Sequence, residues 1–187
     1  MEKIASKLTD SIYKNNPALT DLELKKIKFG LECFLSEISK ILIYFTIFRI
    51  FSLTKYFLLA LFPFMTLRAA AGGYHEKTYL KCLINSFILM FTIVLIGIKT
   101  GLPMYLKGIF ILLSLAFIII YAPVDHYNKP IISKDRRNNL KFTSIGIFIL
   151  LVLIGIFLGG KLGNTILASV FIESATLPLG YYFNKRK

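Results

Sequence analysis

His75 and Cys82 lie seven residues apart in a chain that has only two histidines and two cysteines. They fall in a polar island, from Arg68 through Gly72-Gly73 to Cys82, between long runs of Ile, Leu and Phe. A thiol and an imidazole brought together in such a setting suit nucleophilic catalysis. The imidazole takes the thiol proton, the thiolate attacks a carbonyl, and the imidazolium then protonates the leaving group. A cysteine thiol in a model peptide titrates at about 8.5 and is mostly protonated at neutral pH, a handicap that an adjacent imidazolium or a helix N-terminus relieves. The plainer alternative makes Cys82 a small apolar residue and His75 a loop histidine.

On one continuous helix the two side chains would share a face but stand about 10 Å apart along the axis. The island therefore has to break. Gly72-Gly73 offers the break, letting the His75 segment fold back while Cys82 sits on the opening turn of the next helix. Other chemistries fit poorly. Cys33 and His126 supply no C-x-x-C or H-x-x-x-H spacing, so no metal or cofactor is expected. Gly72-Gly73 is not followed by Lys-Ser/Thr, which excludes a phosphate loop. His126, in a basic loop, is the rival base.

The elements that position the island are membrane helices. Of the 187 residues, 56% are hydrophobic, against about 45–50% in soluble domains, and the mean hydropathy is +0.67. The composition indicates an all-α polytopic membrane bundle, residues 1–187 forming a single domain. The net charge of +13 is carried mostly by loops and ends, where it meets anionic lipid headgroups, and a nucleic-acid role is not expected. The first residues lack an early apolar core and a small-residue cleavage site, so no removable signal peptide is expected.

In chain order, Ile4, Ala5, Leu8 and Ile12 share one face of a short amphipathic helix that would lie on the membrane surface within an interfacial segment, 1–28. Asn15-Asn16-Pro17 breaks it, and Thr20 with Glu23 has capping-box spacing. A polar stripe of Glu32, Cys33, Ser36, Glu37 and Lys40 precedes the apolar run 41–48 of a first span; it faces either protein or, if the stretch is interfacial, water. A short second span, 56–67, must borrow Ala69 to Ala71 to cross. Further spans run over 83–98, 109–122, 142–160 and 162–183, the fourth ended by Pro123. Gly155-x-x-x-Gly159 in the fifth is read as packing. Thr165, Ser169, Glu173 and Thr176 share a face of the sixth. Glu173 and Glu32 are costly carboxylates in or near the membrane, either functional or partnered by a cation such as Lys40 or Arg68.

With six spans and both termini inside, the inner segments hold seventeen Lys and Arg and the outer turns five. The positive-inside rule then places the 68–82 stretch, with His75 and Cys82, in the cytoplasm. Both cysteines fall on that side, where thiols stay reduced.

Arg68-x4-Gly73-x-His75-x6-Cys82, Ala122-Pro123 with Lys129-Pro130 downstream, and Glu173-x-x-Thr176-Leu-Pro178, together with Gly30-Leu-Glu32, resemble the accessory gene regulator B (AgrB) family over essentially the full length. One departure is that of the lysine cluster the family can carry after the Ala-Pro only Lys129 is matched. The resemblance implies a cysteine endopeptidase of the bacterial cell membrane that processes a short propeptide, AgrD, with an acidic C-terminal tail into a cyclic quorum-sensing peptide. It also implies that His75 and Cys82 are the catalytic pair and that Arg68 and Gly73 support activity; Lys129, Glu32 and Glu173 are further candidates for supporting activity or binding substrate. A homodimer is allowed. The competing readings are a small membrane transporter or channel, with the polar stripes lining its pathway, and a non-catalytic membrane adaptor.

Overall fold

The computed structural model describes residues 2–74, 76, 78–99, 101–125 and 131–185, and among these it contains seven α-helices and no strand. The chain divides into two compact units, residues 1–52 and 53–187.

The first unit is α1 (Glu2–Asn15) packed on α2 (Asp21–Ile50). Ala5 and Thr9, one turn apart, are the buried positions of α1, while Ile4, Leu8 and Ile12 stay exposed on a flank that suits an interfacial helix. The chain breaks after Asn15 and restarts at Thr20. There the Thr20 hydroxyl accepts from the Glu23 N–H at 3.4 Å and the Glu23 carboxylate accepts from the Thr20 N–H at 2.9 Å. These backbone and hydroxyl bonds hold the Glu23 carboxyl below its ordinary value. The helix expected over 1–28 thus ends at residue 15, and residues 21–28 already belong to α2.

The second unit is built around α7 (Gly160–Lys185), which packs against α3 (Thr54–Ala71), α4 (Tyr79–Lys99), α5 (Met104–Tyr121) and α6 (Lys134–Leu158). Every residue from Gly163 to Val170 is buried. A helix covered on all sides cannot be amphipathic, and its neighbours approach closely only where side chains are small. Gly155 of α6 sits against Leu167 and Ile166, and the Gly155 carbonyl lies where a Cβ on Gly163 would be. The Ser169 hydroxyl of α7 donates to the Ala60 carbonyl of α3 at 2.7 Å. In the Gly155-x-x-x-Gly159 pair, then, Gly155 is the packing residue. Gly159, at φ +56°, caps the end of α6.

Four helices, α4 to α7, are long and apolar enough to cross a membrane, where six were expected. The two others are interrupted by polar residues. In α2 the buried Lys40 pairs with Glu37 just ahead of the apolar run. In α3 the chain carries Lys55, Pro63 and Arg68 within eighteen residues, and it reaches that length by taking in Ala69 to Ala71. The basic connection after Pro123 is shorter than its sequence suggests, because α6 already starts at Lys134 under a Ser133 cap.

Candidate active site

α3 ends at Ala71 and α4 begins at Tyr79, so only the centre of the polar island is a connection; Arg68 belongs to α3 and Cys82 to α4. Arg68 is the hub of what precedes the histidine. Its guanidinium carbon lies 5.3 Å from the centre of the Phe64 ring one turn earlier, Nη1 lies 3.0 Å from Glu173 Oε2 of α7, and Nη2 donates to the Tyr74 carbonyl. The planar fork of arginine meets a carboxylate and a carbonyl at once, which a lysine ammonium on one stem does not do as well.

Glu173 is fully buried, and the Arg68 side chain is 18% exposed. A carboxyl group withdrawn from water this far is costly to keep charged, and a cation beside it offsets that cost. Its second oxygen, Oε1, has no hydrogen-bond partner among the described residues and faces Gly73. A Cβ built on Gly73 would stand 2.8 Å from Thr176 Oγ1, 3.0 Å from Glu173 Oε1 and 3.3 Å from Arg68 Nη1. The Thr176 hydroxyl meanwhile donates to the Glu173 carbonyl at 2.9 Å.

The glycine pair is therefore held tightly. Gly72 and Gly73 have φ of +79° and +148°, values that L side chains rarely adopt. A Cβ on Gly72 would run into the Val124 carbonyl, and the Val124 N–H donates to the Ala71 carbonyl at 2.8 Å. On the other side, a Cβ on Gly180 would come within 2.8 Å of the Gly73 carbonyl carbon and 3.0 Å of the Tyr74 nitrogen. The Tyr74 ring packs at 5.3 Å on that of Phe183. Burial first, and the neighbouring Glu76 second, push the Tyr74 phenol above its usual value, so it stays uncharged at physiological pH.

Cys82 is half-buried and is the fourth residue of α4; its N–H donates to the Thr78 carbonyl at 3.0 Å. It thus occupies the first turn, at the end of a helix that favours negative charge. His75 lies outside the described residues, as do the rival base His126 and Lys129. Of the residues singled out from sequence, the fold brings Arg68, Gly73 and Glu173 into one cluster. Glu32 belongs to the first unit, where it sits 3.9 Å from Lys28 one turn away, and Lys40 pairs with Glu37. Between the two cations considered for Glu173, the partner is Arg68.

The residues that sequence reasoning did not single out are Gly180, Val124 and the Tyr74 carbonyl. Gly180 carried a signal, a glycine one turn after Glu173-x-x-Thr176, but only the fold shows which backbone it admits. The loop entered through Pro123 has its own organiser: Arg137 is bonded to Asp125 at 2.5 Å and to the Pro123 and Ile131 carbonyls at 3.4 and 3.3 Å. Since Val124 is bonded to Ala71, the start of the basic connection lies against the start of the α3–α4 connection.

A model of the family "Accessory gene regulator B" matches residues 5–177. An AgrB-like protein of Clostridium beijerinckii is 32% identical over 167 residues, covering 87% of this chain and 82% of that protein. An AgrB-like protein of Clostridium acetobutylicum is 30% identical over 189 residues, 97% of this chain and 87% of that one. Accessory gene regulator protein B of Staphylococcus carnosus is 28% identical over 184 residues, 96% and 95% of the two chains. No solved structure matches the chain. With the family model and these relatives spanning nearly its whole length, the chain belongs to the accessory gene regulator B (AgrB) family.

Proposed function

We propose that the chain is a membrane-embedded cysteine endopeptidase that removes the acidic C-terminal tail of a short propeptide and closes the remainder into a cyclic quorum-sensing peptide. The observation that carries this reading is the placement of Cys82 in the first turn of α4, eight residues after Tyr74, whose carbonyl is tied to Arg68. The stretch containing His75 is thus anchored at both ends to packed helices. Family membership supports the same roles for His75 and Cys82.

In the reaction, His75 accepts the Cys82 proton, the thiolate attacks the propeptide carbonyl, and the tail leaves as an amine protonated by the imidazolium. The retained peptide is now a thioester of Cys82. An internal thiol of the substrate attacks that thioester, forming a thiolactone and returning the thiolate to Cys82; an internal serine gives a lactone. Exchange between two thioesters is nearly balanced, so loss of the tail drives the sequence. In the membrane, α2 and α3 also cross, giving six spans with both ends and Cys82 on the cytoplasmic side, as the seventeen-to-five distribution of Lys and Arg favours.

The polar face of α7 weighs against a transport pathway. Thr165, Ser169, Ser174 and Thr176 are buried, and each hydroxyl donates to a backbone carbonyl at 2.7–2.9 Å. Those groups are committed to packing.

The test is propeptide cleavage by the full chain in lipid vesicles. Cys82→Ala and His75→Ala abolish cleavage at unchanged abundance, whereas Cys33→Ala and His126→Ala retain most of it. Wild-type cleavage by Cys82→Ala would end the peptidase reading.

A further inference from the structure

The backbone that leads into the histidine lies against α7 at two successive residues, Gly73 and Tyr74. Gly72 is followed by Gly73 against Glu173 and Thr176, then by Tyr74, with its nitrogen beside Gly180 and its carbonyl on Arg68. Arg68 belongs to the helix that precedes this segment and Glu173 to the helix it lies on. An ion pair whose only duty was to join α3 to α7 would need one nitrogen of the guanidinium. Here the second nitrogen is spent on the Tyr74 carbonyl, one residue before His75. Glu173 fixes Arg68, and Arg68 fixes Tyr74.

We propose that Glu173 and Arg68 act together as a positioning strut that sets where His75 meets Cys82, Glu173 acting through Arg68 and never on the substrate. This proposal rests on the peptidase reading. It follows that charge pairing and positioning are separable. A cation at 173 and a carboxylate at 68 would still satisfy each other in the bundle, but a carboxylate has no N–H to offer the Tyr74 carbonyl.

The experiment compares propeptide cleavage in vesicles by wild type, by Arg68→Glu combined with Glu173→Arg, and by Arg68→Lys. Alkylation of Cys82 by iodoacetamide in a Cys33→Ala background supplies a second readout without substrate. The exchanged protein accumulates as wild type does, loses kcat on the order of 10²-fold, the scale on which a misplaced catalytic group costs rate, and keeps its KM. Its Cys82 alkylation falls to the rate seen in His75→Ala. Arg68→Lys keeps the charge but gives up the planar fork, so it holds the two acceptors less well and shows the same split between kcat and KM. If the exchanged protein fails to accumulate, Arg68→Lys decides: slowed turnover at normal abundance upholds the strut, and wild-type turnover overturns it. Recovery of wild-type kcat by the exchanged protein makes the pair structural only and overturns the proposal. Cys82→Ala and His75→Ala run alongside. Should they cleave, the peptidase reading fails; should they be inactive while the exchanged protein is active, only the strut fails.

Discussion

Arg68 Nη1 on α3 stands 3.0 Å from Glu173 Oε2 on α7, 105 residues further along the chain. With Glu173 fully buried, removing one partner leaves an uncompensated charge inside the bundle, which costs about 3–5 kcal/mol. Glu173→Ala is therefore expected to lower the thermal unfolding temperature in detergent. Arg68→Met combined with Glu173→Leu, two apolar residues of similar bulk, recovers most of that loss without recovering cleavage. Equal losses in the single and double variants would show that the pair carries no buried charge cost.

Two glycine substitutions should part in opposite directions. Gly180→Ala places a Cβ 2.8 Å from the Gly73 carbonyl carbon, pushing the segment off α7, so cleavage falls although alanine is the better helix former. Gly146→Ala on α6 meets nothing within 4 Å and gains up to about 1 kcal/mol of helix propensity. Activity at fixed abundance reads the first, and detergent unfolding the second. Full activity in Gly180→Ala would mean that the segment need not lie on α7.

Much of the helix order was legible in the sequence because long apolar runs between basic connections have few other outcomes. Thr20 with Glu23, Pro123 and the extension of α3 through Ala71 could be read locally, since each depends on neighbours within a turn. The pairing of Glu173 could be narrowed to two cations, as a buried carboxylate needs one. Gly72-Gly73 breaks the helix as expected, α3 ending at Ala71, but the form of the break is not legible in the pair. Its residues suggest freedom, but the positive φ values and the backbone of Val124 and Gly180 on either side make it a tight crossing. That property depends on residues about 50 and 105 positions away, and the Tyr74 carbonyl, a backbone group, leaves no mark on the residue pattern at all. Nor could charge alone decide α2, where Glu37 neutralises a buried Lys40 within the helix.

Orientation can be tested across a single helix junction. Lys134 opens α6 and Lys161 follows its end, and both are exposed in the protein. The 25 residues of α6 span about 37 Å at 1.5 Å per residue, enough to cross a hydrocarbon core of about 30 Å. A membrane-impermeant maleimide added to intact cells should label Lys161→Cys and miss Lys134→Cys until the membrane is opened. Labelling of position 134 in intact cells would overturn the proposed orientation.

The covalent intermediate separates a cyclising acyl transferase from a plain protease. If Cys82 holds the peptide as a thioester, a propeptide whose internal nucleophile is replaced by alanine is still cleaved but has no thiol with which to leave. The acyl-enzyme then accumulates to the extent that water is kept from the half-buried Cys82. On a non-reducing gel the protein shifts by the mass of the tail-less peptide, and hydroxylamine reverses the shift, because it cleaves thioesters and spares ordinary amides. His75→Ala prevents the adduct, since the thiol then keeps its proton and the departing amine has no donor. Arg68→Lys, with its looser hold on the Tyr74 carbonyl, forms the same adduct more slowly. An adduct that resists hydroxylamine, or one that persists in Cys82→Ala, would place the covalent chemistry on another residue.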